Sequence, residues 1–382
     1  MEQLKDKKIA LVADWIKDWG GAEKVFTDIM KIFPDADIFS SVFYQFGNPD
    51  FQNRRIFVSF LQKIPFASKI NKMIPFLRPY AFESLDLSEY DIVISSSSAE
   101  SKGIITKPET LHICYCHTPT RYFWSHYFEY FNRLEFGILN PIAKLVMPYF
   151  IHSLRLWDYC AAQRVDFFIA NSQNTKNRIA KYYRRNSEII YPSIDVNSFP
   201  FNNSKKNYYF YVGRMIPYKK FELLVDTFNE NGKELILATA TNNKLYKKLK
   251  NKSKSNILWK FGITNEEVRS YMGEAKALIF PPEEDFGIVP IEAMACGTPV
   301  IAFAKGGALE TVRDKNPRLP STGVFFNEQT VESLQKAIIE FESREFDYHK
   351  IREYSYNFDI LNFNKNLTEL IIKLSKNQDY PL

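Results

Sequence analysis

The chain has 382 residues, with 50 Lys+Arg against 44 Asp+Glu and a formal charge of +6 at pH 7. Hydrophobic residues at 45% and charged residues at 25% match globular usage, which excludes long disorder and fibrous structure, and the length predicts two domains. The charge is too mild and scattered to predict nucleic-acid binding, and the four cysteines show neither a disulfide framework nor zinc-type spacing, so a reducing cytosol is expected.

In chain order, Lys8–Asp14 (KIALVAD) is too short for a signal-peptide core and predicts a parallel strand covered on both faces. Gly20-Gly21 follows, and Val25, Ile29 and Ile32 then recur at helical spacing. Asp37–Phe43, Tyr90–Ser98, Thr110–His117 and Val165–Ser172 are β-branched and aromatic with polar ends, and predict further strands. The repetition predicts a doubly wound α/β domain. Tyr191–Asn207 is rich in Pro, Asn and Ser without periodicity and reads as a linker. Strands predicted at Tyr208–Arg214, Glu234–Ala240, Asn256–Gly262, Ala275–Pro282 and Thr298–Phe303, with helices between them, make a second such domain. Thr330–Ser343 and Phe358–Lys376 read as terminal helices. No uncharged apolar stretch approaches the ~20 residues that cross a bilayer.

Ligands of open parallel sheets sit beyond the carboxyl ends of the strands, often at helix N-termini. The scarce glycines, 14 in all, gather at such places: Gly20-Gly21, Gly213, Gly287 and Gly306-Gly307. At Gly20-Gly21-Ala22-Glu23 the backbone can approach a phosphate, and a plain tight turn is the alternative. Gly213-Arg214 precedes Lys219-Lys220. Arg214 can fork onto phosphate oxygens and Lys219 adds a point charge, which together would stabilise a diphosphate leaving group; a solvated basic turn is the alternative. Pro281–Phe303 is the richest segment, with Glu284 and Glu292 separated by seven residues, Gly287 permitting close approach, and a helix starting between the carboxylates. Such carboxylates accept hydrogen bonds from sugar and ribose hydroxyls. His117 ends a strand inside CYCHTPTRYFW, and Cys114 and Cys116 on that strand read as buried neutral thiols.

Taken in order, GGAE, HTPTRYFW, ANSQNTKNRI, YPSID, YVGRMIPYKK, EEDFGIVPIEAMACGTPVIA and GGALETV resemble the retaining glycosyltransferases of family 4 over nearly the whole chain. The resemblance implies an α/β GT-B fold, two Rossmann-like doubly wound domains facing a central cleft. Residues 1–195 would bind the acceptor, 205–357 the nucleotide sugar, and 358–382 would be a helix crossing back to the first domain. It implies Arg214 and Lys219 on the pyrophosphate, Glu284 on the donor sugar's hydroxyls, Glu292 on the ribose, and backbone amides of Phe286, Gly287, Ile288 and Val289 near sugar and phosphate. Gly21, Gly213 and Phe261 complete the implied donor set, and His117 stands beside the reacting sugar. His117, Arg214, Lys219 and Glu284 are the implied catalytic set. The family generally needs no metal, so neither a metal nor a cofactor is expected beyond the nucleotide-sugar co-substrate.

CHTPTRYFW further resembles bacterial mannosyltransferases that build O-antigen and related surface polysaccharides. That implies GDP-mannose as donor and an oligosaccharide or lipid-linked glycan as acceptor, with a UDP-hexose donor left open. No side chain stands out as a covalent nucleophile, so front-face displacement assisted by the leaving phosphate is expected. Leu61–Tyr80 interleaves Lys63, Lys69, Lys72 and Arg78 with apolar residues, and Arg121–Phe150 is dense in Tyr, Phe and Trp. Both suit an anionic membrane surface, with packing around an acceptor cleft as the alternative. The expected location is cytoplasmic, peripheral at the inner face of the plasma membrane, without nucleic-acid partners, and the domains are expected to close over the donor about Tyr191–Asn207. A sugar-nucleotide epimerase of the same fold is a competing reading. A dehydrogenase would want Gly-x-Gly-x-x-Gly after the first strand, and a non-catalytic binding protein would not need Arg214, Lys219, Glu284 and Glu292 together.

Overall fold

A computed structural model of the chain describes residues 2–17, 20–45, 48–64, 75–132, 140–315 and 320–376. The chain divides into two units, Met1–Tyr191 with Phe363–Leu382, and Pro192–Asn362.

The first unit runs β1 (Ile9–Ala13), α1 (Gly21–Ile32), β2 (Asp37–Ser40), β3 (Ile56–Val58), α2 (Arg78–Glu83), β4 (Ile92–Ser97), β5 (Leu111–Cys116), α3 (Tyr127–Asn132), α4 (Asn140–Gln163), β6 (Phe167–Ala170), α5 (Gln173–Tyr183) and β7 (Ser187–Ile189). Its seven strands are parallel in the order β3-β2-β1-β4-β5-β6-β7. β1 carries Ala10, Leu11 and Val12 with no exposure, as a strand covered on both faces requires. β1 pairs with β2 on one side and β4 on the other, so the strand order reverses there. The switch point lies beyond Ala13 and Ser97.

The second unit runs β8 (Tyr209–Val212), α6 (Phe221–Asn231), β9 (Leu235–Thr239), α7 (Lys244–Lys252), β10 (Ile257–Phe261), α8 (Asn265–Glu274), β11 (Ala277–Phe280), α9 (Ile288–Ala295), β12 (Val300–Phe303), α10 (Ala308–Thr311), β13 (Gly323–Phe326), α11 (Val331–Glu342) and α12 (Tyr348–Ser355). Its six strands are also parallel, ordered β10-β9-β8-β11-β12-β13. Tyr209, Phe221, Phe228, Leu237 and Ile279 share its core. The last helix, α13 (Ile360–Lys376), belongs to the first unit from Phe363 onward, where the Phe363 ring meets Tyr115 at 6.0 Å.

Several of the described elements were not individually predicted, among them β3, β7, β13, α4 and α12. The three strands have three or four residues each, too few to show a period. Tyr191–Asn207 reads as a linker, yet Ile194, Val196 and Phe199 are buried. Ile194 N–H donates to Phe358 O at 3.0 Å, and Ile360 N–H to Ile194 O at 2.9 Å. The Asp359 carboxylate accepts from Val196 N–H at 3.2 Å, and Arg352 donates to Phe199 O at 3.0 Å. Distant polar partners hold this segment, so it needs no internal periodicity. Of the two segments read as lipid-facing, Phe66, Lys69, Ile70, Lys72, Ile74 and residues 133–139 lie outside the described residues. In the second, Phe123 is fully buried and packs with Ile151 and Leu154, so its first aromatics serve packing.

Candidate active site

In the second unit β8 and β11 are neighbours from opposite halves of the strand order, so its switch point lies beyond Val212 and Phe280. Two loops leave there. Gly213–Lys220 is folded by Ile216 N–H on Arg214 O at 2.8 Å and Lys219 N–H on Ile216 O at 3.0 Å. The buried Tyr211 hydroxyl donates to Lys219 O at 2.9 Å, and Asn243 Nδ2 to Met215 O at 2.8 Å. A Cβ on Gly213 would come within 3.2 Å of the Tyr211 hydroxyl, so glycine lets the loop pass over it. Arg214 is exposed. Lys219 Nζ forms an ion pair with Glu284 Oε1 at 2.5 Å, the two side chains being 15% and 16% exposed.

Glu284 belongs to the second loop, which ends at Gly287. Gly287 has φ +86° and caps α9, and a Cβ there would lie 3.0 Å from the Phe280 ring. Left-handed backbone next to an aromatic ring leaves glycine as the fitting residue. Phe286 is buried, with its ring 5.9 Å from that of Phe358, so only its backbone is left for a ligand. Ile288 and Val289 form the half-buried first turn of α9, and Glu292 is half-buried one turn later. The N-terminus of α9 carries the positive end of its dipole.

Gly306-Gly307 supports this loop from below. Gly307 N–H donates to Glu284 O at 2.9 Å. A Cβ on Gly306 would sit 2.3 Å from Glu284 O, and one on Gly307 would sit 2.2 Å from Phe286 Cα. Phe261 ends β10, the edge strand, two strand positions from β8 and so about 10 Å away at the usual spacing. The second unit thus brings Gly213, Arg214, Lys219, Glu284 and Gly287–Glu292 to one sheet edge and leaves Phe261 at its flank.

In the first unit, Gly21 opens α1 and is exposed. His117 follows β5 and is buried, with Nε2 hydrogen-bonded to Ser96 Oγ at 2.8 Å and its carbonyl accepting from Thr175 Oγ1 at 3.1 Å. Ser96 lies near the end of the predicted strand Tyr90–Ser98, and the stretch from Ser96 to Lys102 ties the unit together. Asp14 accepts from Ser98 N–H at 2.6 Å, Ala99 N–H at 2.9 Å and Ser101 N–H at 2.7 Å. Glu100 pairs with buried Arg78 at 3.3 Å, with the Tyr122 hydroxyl bonded to both. Lys102 pairs with Asp158 at 2.6 Å, both fully buried.

Asp158 also accepts from Thr120 Oγ1 at 2.9 Å, Trp124 Nε1 at 2.7 Å and the Tyr183 hydroxyl at 2.8 Å. Burial disfavours the Lys102 cation, but Asp158 outweighs it and holds the ammonium above its ordinary pKa. Burial also pushes the Glu100 carboxyl up, against the pull of Arg78. Thr120, Tyr122 and Trp124 of HTPTRYFW therefore serve buried charges. The available signal was a short serine run followed by Glu100 and Lys102. A hollow beyond β1 is lined by Asp14, Trp15, Glu23, Gln45, Ser96 and Ser98.

Cys114 and Cys116 are buried, and burial raises the Cys116 thiol well above its usual pKa, which keeps it protonated. An Asp-x-Asp string does occur, at Asp35-Ala36-Asp37. The Asp37 carboxylate is engaged by Arg55 Nε at 2.7 Å and the Tyr90 hydroxyl at 2.6 Å, a structural use.

Two family models match the chain: "Glycosyltransferase Family 4" over residues 19–198 and "Glycosyl transferases group 1" over residues 193–358. An uncharacterized glycosyltransferase of Methanocaldococcus jannaschii is 30% identical over 159 residues, covering 40% of this chain and 44% of that one. The O-antigen chain mannosyltransferase of Salmonella typhimurium is 29% identical over 153 residues, covering 37% and 43%. The alpha-1,3/1,6-mannosyltransferase of Saccharomyces cerevisiae is 24% identical over 248 residues, covering 51% and 48%. The matches thus span about half or less of these relatives' own lengths. Among solved structures, an Anabaena protein in complex with UDP-glucose has a TM-score of 0.66 at 18% identity, covering 96% of this chain and 99% of that one. Sucrose-phosphate synthase from Thermosynechococcus elongatus has a TM-score of 0.69 at 17% identity, covering 96% and 99%. At such identities the likeness is one of fold, two Rossmann-like units with parallel sheets.

Proposed function

This chain belongs to glycosyltransferase family 4 and has its GT-B fold, and from that premise we propose that it moves a hexose, with retained configuration, from a nucleotide sugar to a glycan. The observation that carries the reading is the Lys219–Glu284 ion pair at the switch point beside the Gly287-capped start of α9. A cation, a carboxylate and a helix N-terminus on one edge are the groups that a diphosphate bearing a sugar requires.

Arg214 and Lys219 would take the diphosphate, Glu284 the sugar hydroxyls and Glu292 the ribose. The bond from the sugar's anomeric carbon to the phosphate oxygen breaks while the acceptor oxygen bonds to that carbon on the same face. The acceptor's proton passes to the departing diphosphate, whose charge Arg214, Lys219 and the α9 N-terminus stabilise. His117 would stand near the reacting sugar, held by Ser96.

The donor we assign is GDP-mannose, supported by the mannosyltransferase names of the Salmonella and yeast relatives. The acceptor we assign is a lipid-linked glycan of a surface polysaccharide, met at the inner face of the plasma membrane. Saturation binding and donor hydrolysis across GDP-mannose, UDP-glucose, UDP-galactose and UDP-GlcNAc test the donor. GDP-mannose should bind tightest, and equal or tighter binding of a UDP sugar overturns the assignment. An epimerised nucleotide sugar from donor alone would overturn transfer itself.

A further inference from the structure

Helices α6 and α9 both start at the switch point of the second unit, and both are preceded by a residue with left-handed backbone: Lys220 at φ +58° and Gly287 at φ +86°. Ser172, Asn243, Thr264, Thr330 and Asp347, which open α5, α7, α8, α11 and α12, are extended instead, as is usual before a helix. Glycine enters the left-handed region without steric cost, whereas lysine there is strained. Of the other non-glycine residues in that region, Asn53 is of a type that tolerates it, and Arg184 ends a helix, where it is ordinary. The Lys220 backbone is held from both sides. Its N–H donates to Pro217 O at 3.1 Å, its carbonyl accepts from Leu224 N–H at 3.4 Å, and the Tyr211 hydroxyl fixes the preceding carbonyl. A backbone held in this way would accept glycine, so the reason for lysine lies in its side chain. Strained residues fixed by their surroundings gather at ligand sites.

The side chain is half-buried, and among the described residues it has no hydrogen bond or ion pair. The next carboxylate along the chain, that of Glu222, is taken by Lys248 at 2.8 Å. Lys219 is paired with Glu284, and that pair sums to zero charge. The standing positive charge of the Gly213–Lys220 loop is therefore that of Arg214 and Lys220, since Arg214 also has no ion pair among the described residues. Two cations match a doubly charged diphosphate diester, the anionic part of a nucleotide sugar. The ligand's anion is the counter-charge that this loop lacks.

We infer that Lys220 is a donor-binding residue whose ammonium meets the diphosphate alongside Arg214. The inference deepens the transferase reading above and rests on it for the ligand. Binding of GDP and of UDP is measured by titration calorimetry on the full chain as wild type, Lys220→Gly, Lys220→Asn and Lys220→Arg, with thermal melts of each protein without nucleotide. Lys220→Gly removes charge and strain together, so it should raise the thermal midpoint by about 1–3 °C and yet weaken both nucleotides about tenfold. A better-folded protein that binds its ligand worse is a result no structural role for the lysine gives. Lys220→Asn, neutral and tolerant of left-handed backbone, should lose about the same affinity, while Lys220→Arg should stay within about threefold of the wild type. Added salt should weaken binding less in the glycine variant than in the wild type. Glycine-variant affinity within about twofold of the wild type would overturn the inference. So would a loss confined to one of the two nucleotides, an arginine variant as weak as the glycine one, or a fall in the glycine variant's thermal midpoint. A wild type that binds neither nucleotide would overturn the transferase reading, and this inference with it.

Discussion

Lys219 Nζ stands 2.5 Å from Glu284 Oε1, so the cation suited to a diphosphate and the carboxylate suited to a sugar neutralise each other. Both backbones are fixed, Lys219 O by the Tyr211 hydroxyl and Glu284 O by Gly307 N–H. In the proposed reaction an incoming diphosphate would compete with Glu284 for Lys219, and a carboxylate released in this way would turn to the sugar hydroxyls.

Glu284→Gln separates the two roles. Nucleoside diphosphate should bind at least as tightly as to the wild type, because Lys219 loses its competitor. Sugar transfer should fall roughly 10- to 100-fold, the equivalent of one charged hydrogen bond. Titration calorimetry and initial rates read the two effects, and a parallel loss of both would refute the exchange.

Gly307→Ala tests the support under this loop. Its Cβ would meet Phe286 Cα at 2.2 Å, a backbone clash that must shift the Glu284 loop. A loss of about 2–4 kcal/mol in urea unfolding is expected, with weaker donor binding. Gly232→Ala, at positive φ where Gly307 is not, but with open space around it, should cost only about 1–2 kcal/mol and leave donor binding intact. Equal effects at both sites would show that crowding is irrelevant.

Asp158→Ala leaves the Lys102 ammonium buried without its carboxylate. It also strands the Trp124 N–H and the Tyr183 hydroxyl. The expected destabilisation is about 3–5 kcal/mol, read by chemical denaturation. A change under about 1 kcal/mol would mean that water reaches the site.

His112 gives the first unit an acid dependence. It is fully buried, with Nε2 hydrogen-bonded to Ser95 Oγ at 2.9 Å, and burial lowers its pKa from 6.5 to about 3. The unfolded chain therefore takes up a proton that the folded chain refuses. Stability present above the unfolded pKa is lost as pH falls through about 6.5 towards 3, amounting to about 2 kcal/mol by about pH 5. His112→Gln should flatten that part of the curve in thermal melts, and an unchanged slope would assign it to other groups.

The central strands were legible because burial on both faces writes a continuous apolar run, as in Leu11 and Val12. Gly287 stands out in the sequence as a place for close backbone approach, and its left-handed φ beside the Phe280 ring gives a separate, structural reason for glycine there. The Ser96–Lys102 stretch was not. Its partners are remote in sequence, Asp14 by 84 positions from Ser98, Asp158 by 56 from Lys102 and Arg78 by 22 from Glu100. Pairings over such distances leave no local period. Gly306-Gly307 stands out in the sequence as a glycine pair, but its contact with the backbone of the Glu284 loop does not, because backbone has no sequence signature.

The first unit is discontinuous, since Phe363–Leu382 returns to it after the whole of the second. On a ribosome the second unit can therefore finish folding while the first still lacks the helix that seats Phe363 against Tyr115. Native order in the first unit becomes a late event of synthesis, and a chain interrupted within that helix would keep an intact second unit beside an unfinished first.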